Sequence, residues 1–202
     1  MSIGCLSRSM NSKTELLKQV RDEVVTLVSS PLYAYRTENK FFPVIGEGSH
    51  DARIMFIGEA PGENEAKTGR PFVGRAGKLL DKLLEGVGIA RADVYITNIV
   101  KDRPPGNRDP FPEEIALYAP FLDRQIEIIK PTIVATLGRF AMAYVMNRYG
   151  LEWEVAPISV LHGKELQANS FKLIPLYHPA AAIYNQELLK VLEADFQVLA
   201  SL

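Results

Sequence analysis

Apolar residues along this chain follow two periodicities that take turns. From Lys13 to Val28 they lie on one helical stripe: Leu16, Leu17, Val20, Val24 and Leu27, three or four residues apart. Ser12, with Glu15 three residues on, has the capping-box pattern and predicts where that helix starts. The stretch from Ser29 to Gly48 mixes prolines, aromatics and glycines and predicts irregular chain with one short strand at Val44-Ile45. Short β-branched runs then begin, over 53–58, 93–100, 131–137 and 171–177, the length and content of strands. Helical stretches separate them, over 74–87, 112–129, 139–149 and 186–199. Gly86 and Gly88 stop one helix, and Pro112 with Glu113 and Glu114 opens the next. Pro175, which has no N–H to give a ladder, predicts an edge strand or a bulge. Residues 151–170 carry a weaker pattern in which Ile158–Leu161 reads as an edge strand. Residues 1–11 read as a flexible tail and 12–202 as one domain. Strands alternating with helices predict an α/β chain, a three-layer α/β/α sandwich on a central four-stranded, mainly parallel sheet.

Parallel strands all end on one side of a sheet, and ligands bind there. The first strand runs into Gly58-Glu-Ala-Pro-Gly62, a tight turn that lets backbone approach a ligand closely. A polar loop, Glu63 to Arg75, follows it. Neither common nucleotide motif fits. The turn is G-x-x-x-G with Pro61 inside rather than G-x-G-x-x-G, and Gly77-Lys78 is followed by Leu79 rather than Ser or Thr. Two further loops, Asn98 to Arg108 and His178 to Asn185, reach the same sheet edge. Phe72, an aromatic in a polar loop, is either a small-core residue or a stacking platform. Asn98 either bonds its own loop backbone or offers a donor and an acceptor to a heterocycle edge. His178 either caps backbone or faces a ligand. Each modest reading is the better one for a residue alone; together on one edge they predict a polar pocket.

Composition narrows the classes. No apolar run approaches the ~18 residues of a membrane span, and the N-terminus has no signal-peptide core, so the expected location is the cytoplasm. One cysteine, Cys5, allows neither a disulfide framework nor a cysteine-held metal. The net charge of −1 gives no bulk argument for nucleic acid, though a local basic face needs only the right placement of lysines and arginines.

Four segments occur in a telling order: G-E-A-P-G at 58–62, K-T-G-R-P-F-V-G at 67–74, I-T-N-I-V-K at 96–101 with R-P-P-G-N-R at 103–108, and H-P-A-A at 178–181. Together they resemble the family-four uracil-DNA glycosylases, and the resemblance spans roughly residues 25 to 200. It implies the uracil-DNA glycosylase fold and hydrolysis of the N-glycosidic bond of a flipped-out uracil, leaving an abasic site. By that resemblance Gly58, Glu59, Ala60 and Glu65 approach the base, Phe72 stacks on it and Asn98 reads its Watson–Crick edge. His178 steadies the charge on the leaving base. Glu59 is favoured to activate water, because Ala60 stands where the first family has an aspartate. Ala180, Ile183 and Tyr184 resemble the segment that enters the vacated stack. Lys67, Arg70, Arg75, Lys101, Arg103, Arg108 and Lys164 are the expected phosphate contacts. The implied partner is uracil-containing DNA, single- or double-stranded, bound by a monomer at a prokaryotic-type nucleoid.

The family usually carries a [4Fe–4S] cluster on four cysteines, two in the segment equivalent to Ser29–Arg36, one near Asp102 and one near Tyr118. None is cysteine here, so no cluster is expected, and Asp102, Tyr118 and Leu32–Tyr35 are expected to fill its place. His162 stands where relatives often have arginine, and Tyr184 is a second departure. The basic loop through which a related branch traps DNA covalently is absent, so turnover is expected. Two other activities fit the same residues: a protein that binds uracil or abasic sites without cleavage, and a glycosylase for hypoxanthine or xanthine.

Overall fold

The computed structural model describes residues 12–154 and 156–201; the expected tail at 1–11, with Cys5, lies outside them. Helices α1 (Lys13–Val25) and α2 (Tyr33–Glu38) come first, and Ser12 with Glu15 forms the expected capping box. The elements β1 (Glu47–Gly48), β2 (Ile54–Gly58), α3 (Glu63–Thr68), α4 (Arg75–Gly86) and β3 (Tyr95–Asn98) follow. Then come α5 (Pro112–Ile129), β4 (Ile133–Leu137), α6 (Arg139–Arg148) and α7 (Ile158–Leu161). The chain ends with β5 (Leu166–Gln167), β6 (Lys172–Leu176), α8 (Pro179–Ala182) and α9 (Gln186–Ser201).

The sheet has six strands in the order β1-β3-β2-β4-β6-β5. The four predicted strands form its parallel centre. The correction is at both rims, where β1 and β5 pair antiparallel through two residues each. Strands that short leave no alternation to read. The first was expected at Val44-Ile45 and lies at Glu47–Gly48. Ile158–Leu161 is a single helical turn, not an edge strand, closed by the His162 N–H on the Ile158 carbonyl. Beneath the polar loop expected at 63–75, Glu63–Thr68 is helical. Pro175 sits past the two β6 residues that β5 covers, so β6 is an edge at that point.

Successive side chains of a strand point to opposite faces, so a doubly covered sheet needs continuous apolar strands. Met55, Ile57, Val134 and Leu173 pack toward Leu17 of α1, Leu122 and Ile126 of α5 and Met142 and Val145 of α6. Phe56, Ile96, Ala135 and Ile174 pack on the other face toward Leu80 and Leu84 of α4 and Leu192 and Phe196 of α9. Phe56 and Phe196 stack at 5.9 Å between centroids. Each such side chain contributes roughly 1.5–3 kcal/mol by leaving water. The result is the expected three layers, and all four central strands deliver their C-terminal ends to one edge.

A third apolar cluster joins Val20, Val24, Leu32, Val100, Tyr118 and Phe121. A polar chain runs through it. Tyr118 donates its hydroxyl to Asp102 Oδ2 at 2.6 Å and lies 2.8 Å from Ser30 Oγ. Arg36 donates to both Asp102 oxygens at 3.1 and 3.2 Å and to the carbonyls of Val24 and Val25. This polar chain runs through the Ser29–Arg36 segment and the neighbourhoods of Asp102 and Tyr118, where the resemblance would call for thiolates. A hydroxyl, a phenol, a carboxylate and a guanidinium already bonded to one another do not make an iron–sulfur ligand set.

Candidate active site

The three loops meet in a cavity of about 390 Å³ at the C-terminal edge of the sheet, lined by Glu59, Phe72, Asn98, Arg108, His178 and Ile183 among others. β2 supplies its floor. Gly58, paired in register with Asn98 of β3, has no room for a side chain. A Cβ there would overlap Asn98 Oδ1 and come within 2.8 Å of Phe72 Cζ.

Asn98 is 1% exposed. Its Oδ1 is buried and accepts no hydrogen bond from the described residues. It does not bond its own loop backbone, so the modest reading fails. A buried acceptor without a partner costs on the order of 1–3 kcal/mol, and the residue that carries it lines the cavity.

Phe72 is a core residue that also lines the cavity, its ring packed in the α4–α9 core. Its φ of 50° is left-handed, an uncommon conformation for an aromatic residue and a sign of a constrained site. Two features hold it. Glu65 Oε1 accepts the N–H groups of Val73 and Gly74 at 2.9 and 2.8 Å. Gly77 lets the first turn of α4 close onto the Phe72 carbonyl, where a Cβ would collide. Glu65, which the resemblance places near the base, lines the cavity, and its Oε1 also fastens the loop that carries Phe72.

His178 caps backbone and also lines the cavity. Its Nδ1 accepts the Ala180 N–H at 3.1 Å, and its ring lies 5.6 Å from Phe72 at the cavity wall. Burial lowers its pKa to about 4, against the raising influence of Glu65. It is therefore neutral at pH 7, and with Nδ1 accepting, the proton is on Nε2. Glu59 follows directly on β2. Burial, with Asp109 adding to it and Arg139 opposing, pushes its carboxyl up to about 7. Asp109 and Arg139 also pair with each other at 2.9 Å. Neither carried a signal, because they reach Glu59 through space from separate elements.

The basic residues divide. Lys101 is wholly buried, with Nζ on Thr97 Oγ1, Asn98 O and Gln125 Oε1, and meets no phosphate. Arg103 is also withdrawn, its side chain 9% exposed and bonded to Asn107 and the Tyr35 hydroxyl. Lys67 pairs with Glu63 and Arg70 with Glu47 on the surface. Arg108 pairs with Glu114, lies over the Phe111 ring at 3.8 Å and lines the cavity. Lys164 is exposed. Arg75, at the start of α4, donates to the Tyr184 hydroxyl and lies 5.5 Å from its ring. Tyr184 is 82% exposed beside the cavity-lining Ala180 and Ile183. His162 bonds Asp195 at 2.9 Å and lies against Tyr177, outside the cavity wall.

A small cavity with an aromatic wall, an unpaired amide acceptor and a neutral imidazole donor defines a protein that takes a planar, hydrogen-bonding ring at a sheet edge. Its relatives narrow that class. A family model described as the Uracil DNA glycosylase superfamily matches residues 45–199. The type-4 uracil-DNA glycosylase of Sulfurisphaera tokodaii is 45% identical over 191 residues, 92% of this chain and 84% of that protein. The one from Saccharolobus solfataricus is 47% identical over 186 residues, 90% of this chain and 83% of that protein. The one from Thermotoga maritima is 43% identical over 195 residues, 93% and 95% of the two chains. The chain belongs to the uracil DNA glycosylase superfamily.

Proposed function

We infer that this chain is a uracil-DNA glycosylase of base excision repair, one that cleaves the N-glycosidic bond of a flipped-out uracil and leaves an abasic site. The observation that carries its base reading is the unpaired Asn98 Oδ1 in the cavity. Uracil presents N3–H to such an acceptor and O4 to the amide N–H. Cytosine presents an acceptor at N3 and meets a mismatch. Phe72 provides the stacking face. His178 Nε2–H donates to uracil O2 as negative charge builds on the leaving base. Neutrality suits it, since a fixed donor steadies the charge without a proton having to be lost first. Glu59, pushed up to about 7, is a base poised near neutral pH for the attacking water, and its negative charge favours an oxocarbenium-like sugar.

Ile183 and Tyr184 fill the vacated stack, and Arg75, Arg108 and Lys164 are the phosphate contacts we retain. The enzyme acts as a monomer, in the cytoplasm at the nucleoid. Among the described residues no helix is long and apolar enough to cross a membrane. It works without an iron–sulfur cluster. The chain has one cysteine, and Ser30, Arg36, Asp102 and Tyr118 form a chain of hydrogen bonds through the region where the resemblance would place the ligands.

The test is a labelled oligonucleotide with a single uracil, incubated with the protein and treated with alkali. Strand scission is expected from the wild type and lost in Phe72→Ala and His178→Ala. Uracil-specific binding without scission would move the protein to the non-cleaving class, and activity confined to hypoxanthine or xanthine would replace its substrate.

A further inference from the structure

The Asn98 side chain has an acceptor that no described residue holds, so its aim must be set by its backbone. That backbone is gripped from behind. The N–H groups of Ile99 and Val100 donate to the carbonyls of Gly58 and Glu59 at 3.0 Å each. The Asn98 carbonyl accepts Lys101 Nζ at 2.6 Å. The same nitrogen donates to Thr97 Oγ1 at 2.8 Å and Gln125 Oε1 at 2.6 Å. The hydrogens around it are already assigned. Thr97 donates to the Ile45 carbonyl, and the Gln125 amide N–H groups go to Ile45 and the Tyr95 hydroxyl. Three acceptors thus converge on Nζ, matching the three N–H bonds of an ammonium. No carboxylate among the described residues bonds it. A lysine buried this completely carries a large desolvation cost, which holds its pKa well below the ordinary lysine value, and the three acceptors oppose that shift.

We propose that Lys101 is a positioning residue for base excision, clamping the end of β3 through the Asn98 carbonyl, the Thr97 hydroxyl and the Gln125 amide so that Asn98 points its acceptor into the cavity. The proposal rests on the excision reading above. Displacement of a recognition group by about 1 Å costs on the order of 100-fold in rate, so a clamp matters even though it never touches substrate.

The experiment measures single-turnover excision of uracil and affinity for an abasic-site analogue, with thermal melting of each variant. Lys101→Met is expected to slow excision between about 10- and 100-fold while affinity for the analogue changes by less than about 3-fold. Lys101→Gln, which keeps an amide N–H donor, is expected to recover part of the rate. Tyr95→Phe, which loosens the far side of the same network, is expected to excise at close to the wild-type rate. The Lys101→Met/Asn98→Ala double variant is expected to be no slower than Asn98→Ala alone, because both changes remove one function. Multiplying losses, or a Lys101→Met rate equal to wild type, would overturn the proposal. So would failure of both Lys101 variants to fold, which would make the residue a determinant of the fold. Inactive wild-type protein would instead count against the excision reading itself.

Discussion

Glu59 gives the site its expected pH dependence. As the proposed base it must be ionised to take a proton, and its carboxyl is pushed up to about 7, so kcat/KM should rise with pH up to about 7 and then level. Glu59→Gln should be slow at every pH and lack that limb; a surviving limb would assign it to another group. The stability sign is opposite. A carboxyl raised from its ordinary 4.5 to about 7 favours its protonated form in the fold. The stabilisation is present below 4.5 and lost as pH rises through about 7. Glu59→Gln should therefore gain stability relative to wild type between pH 5 and pH 8, by less than the full shift would give because the carboxyl is only half buried, measured by urea melts at each pH. Asn98→Asp should blur the distinction between uracil and cytosine, since a carboxylate accepts from both the uracil N3–H and the cytosine amino group; competition by the free bases reads this directly.

At the scale of elements, the site is set by how closely three strand ends approach one another. Gly58→Ala would push a methyl group into Asn98 Oδ1 and the Phe72 ring. Excision is expected to fall on the order of 100-fold with the fold retained by circular dichroism; unchanged activity would mean that the cavity floor can give way. Glu65 acts on the same platform from α3. Glu65→Ala leaves the Val73 and Gly74 N–H groups without their acceptor and removes one of the two features that hold Phe72 at positive φ. Its KM for uracil-containing DNA should rise together with a fall in kcat, measured by steady-state kinetics. The sequence placed Glu65 in this loop but not its bond to Val73 and Gly74, which spans eight and nine residues and leaves no periodic trace.

For the molecule as a whole, the cluster of Ser30, Arg36, Asp102 and Tyr118 ties α1, α2 and α5 to the loop after β3. Tyr118→Phe removes a buried donor to Asp102 and should lower stability by about 1–3 kcal/mol in urea melts, with the excision rate kept within about 3-fold and no bound iron by elemental analysis. Bound iron in wild-type protein would contradict the donor set. The four central strands, the helices packed against them and their order were determined by the sequence alone, because apolar periodicity is local and these elements carry it. So was the strand edge at which Glu59, Phe72, Asn98 and His178 gather, because parallel strands all end on one side. The two-residue rim strands, the burial of Lys101 and Arg103 and the raised carboxyl of Glu59 were decided only by the tertiary structure. Each depends on which distant groups come to surround a side chain: Gln125 from α5 beside Lys101, Glu63 and Tyr35 beside Arg103, Asp109 and Arg139 beside Glu59. Hydrophobic patterning reports whether a position faces water or core, and says nothing about which polar partner, far along the chain, will be waiting there.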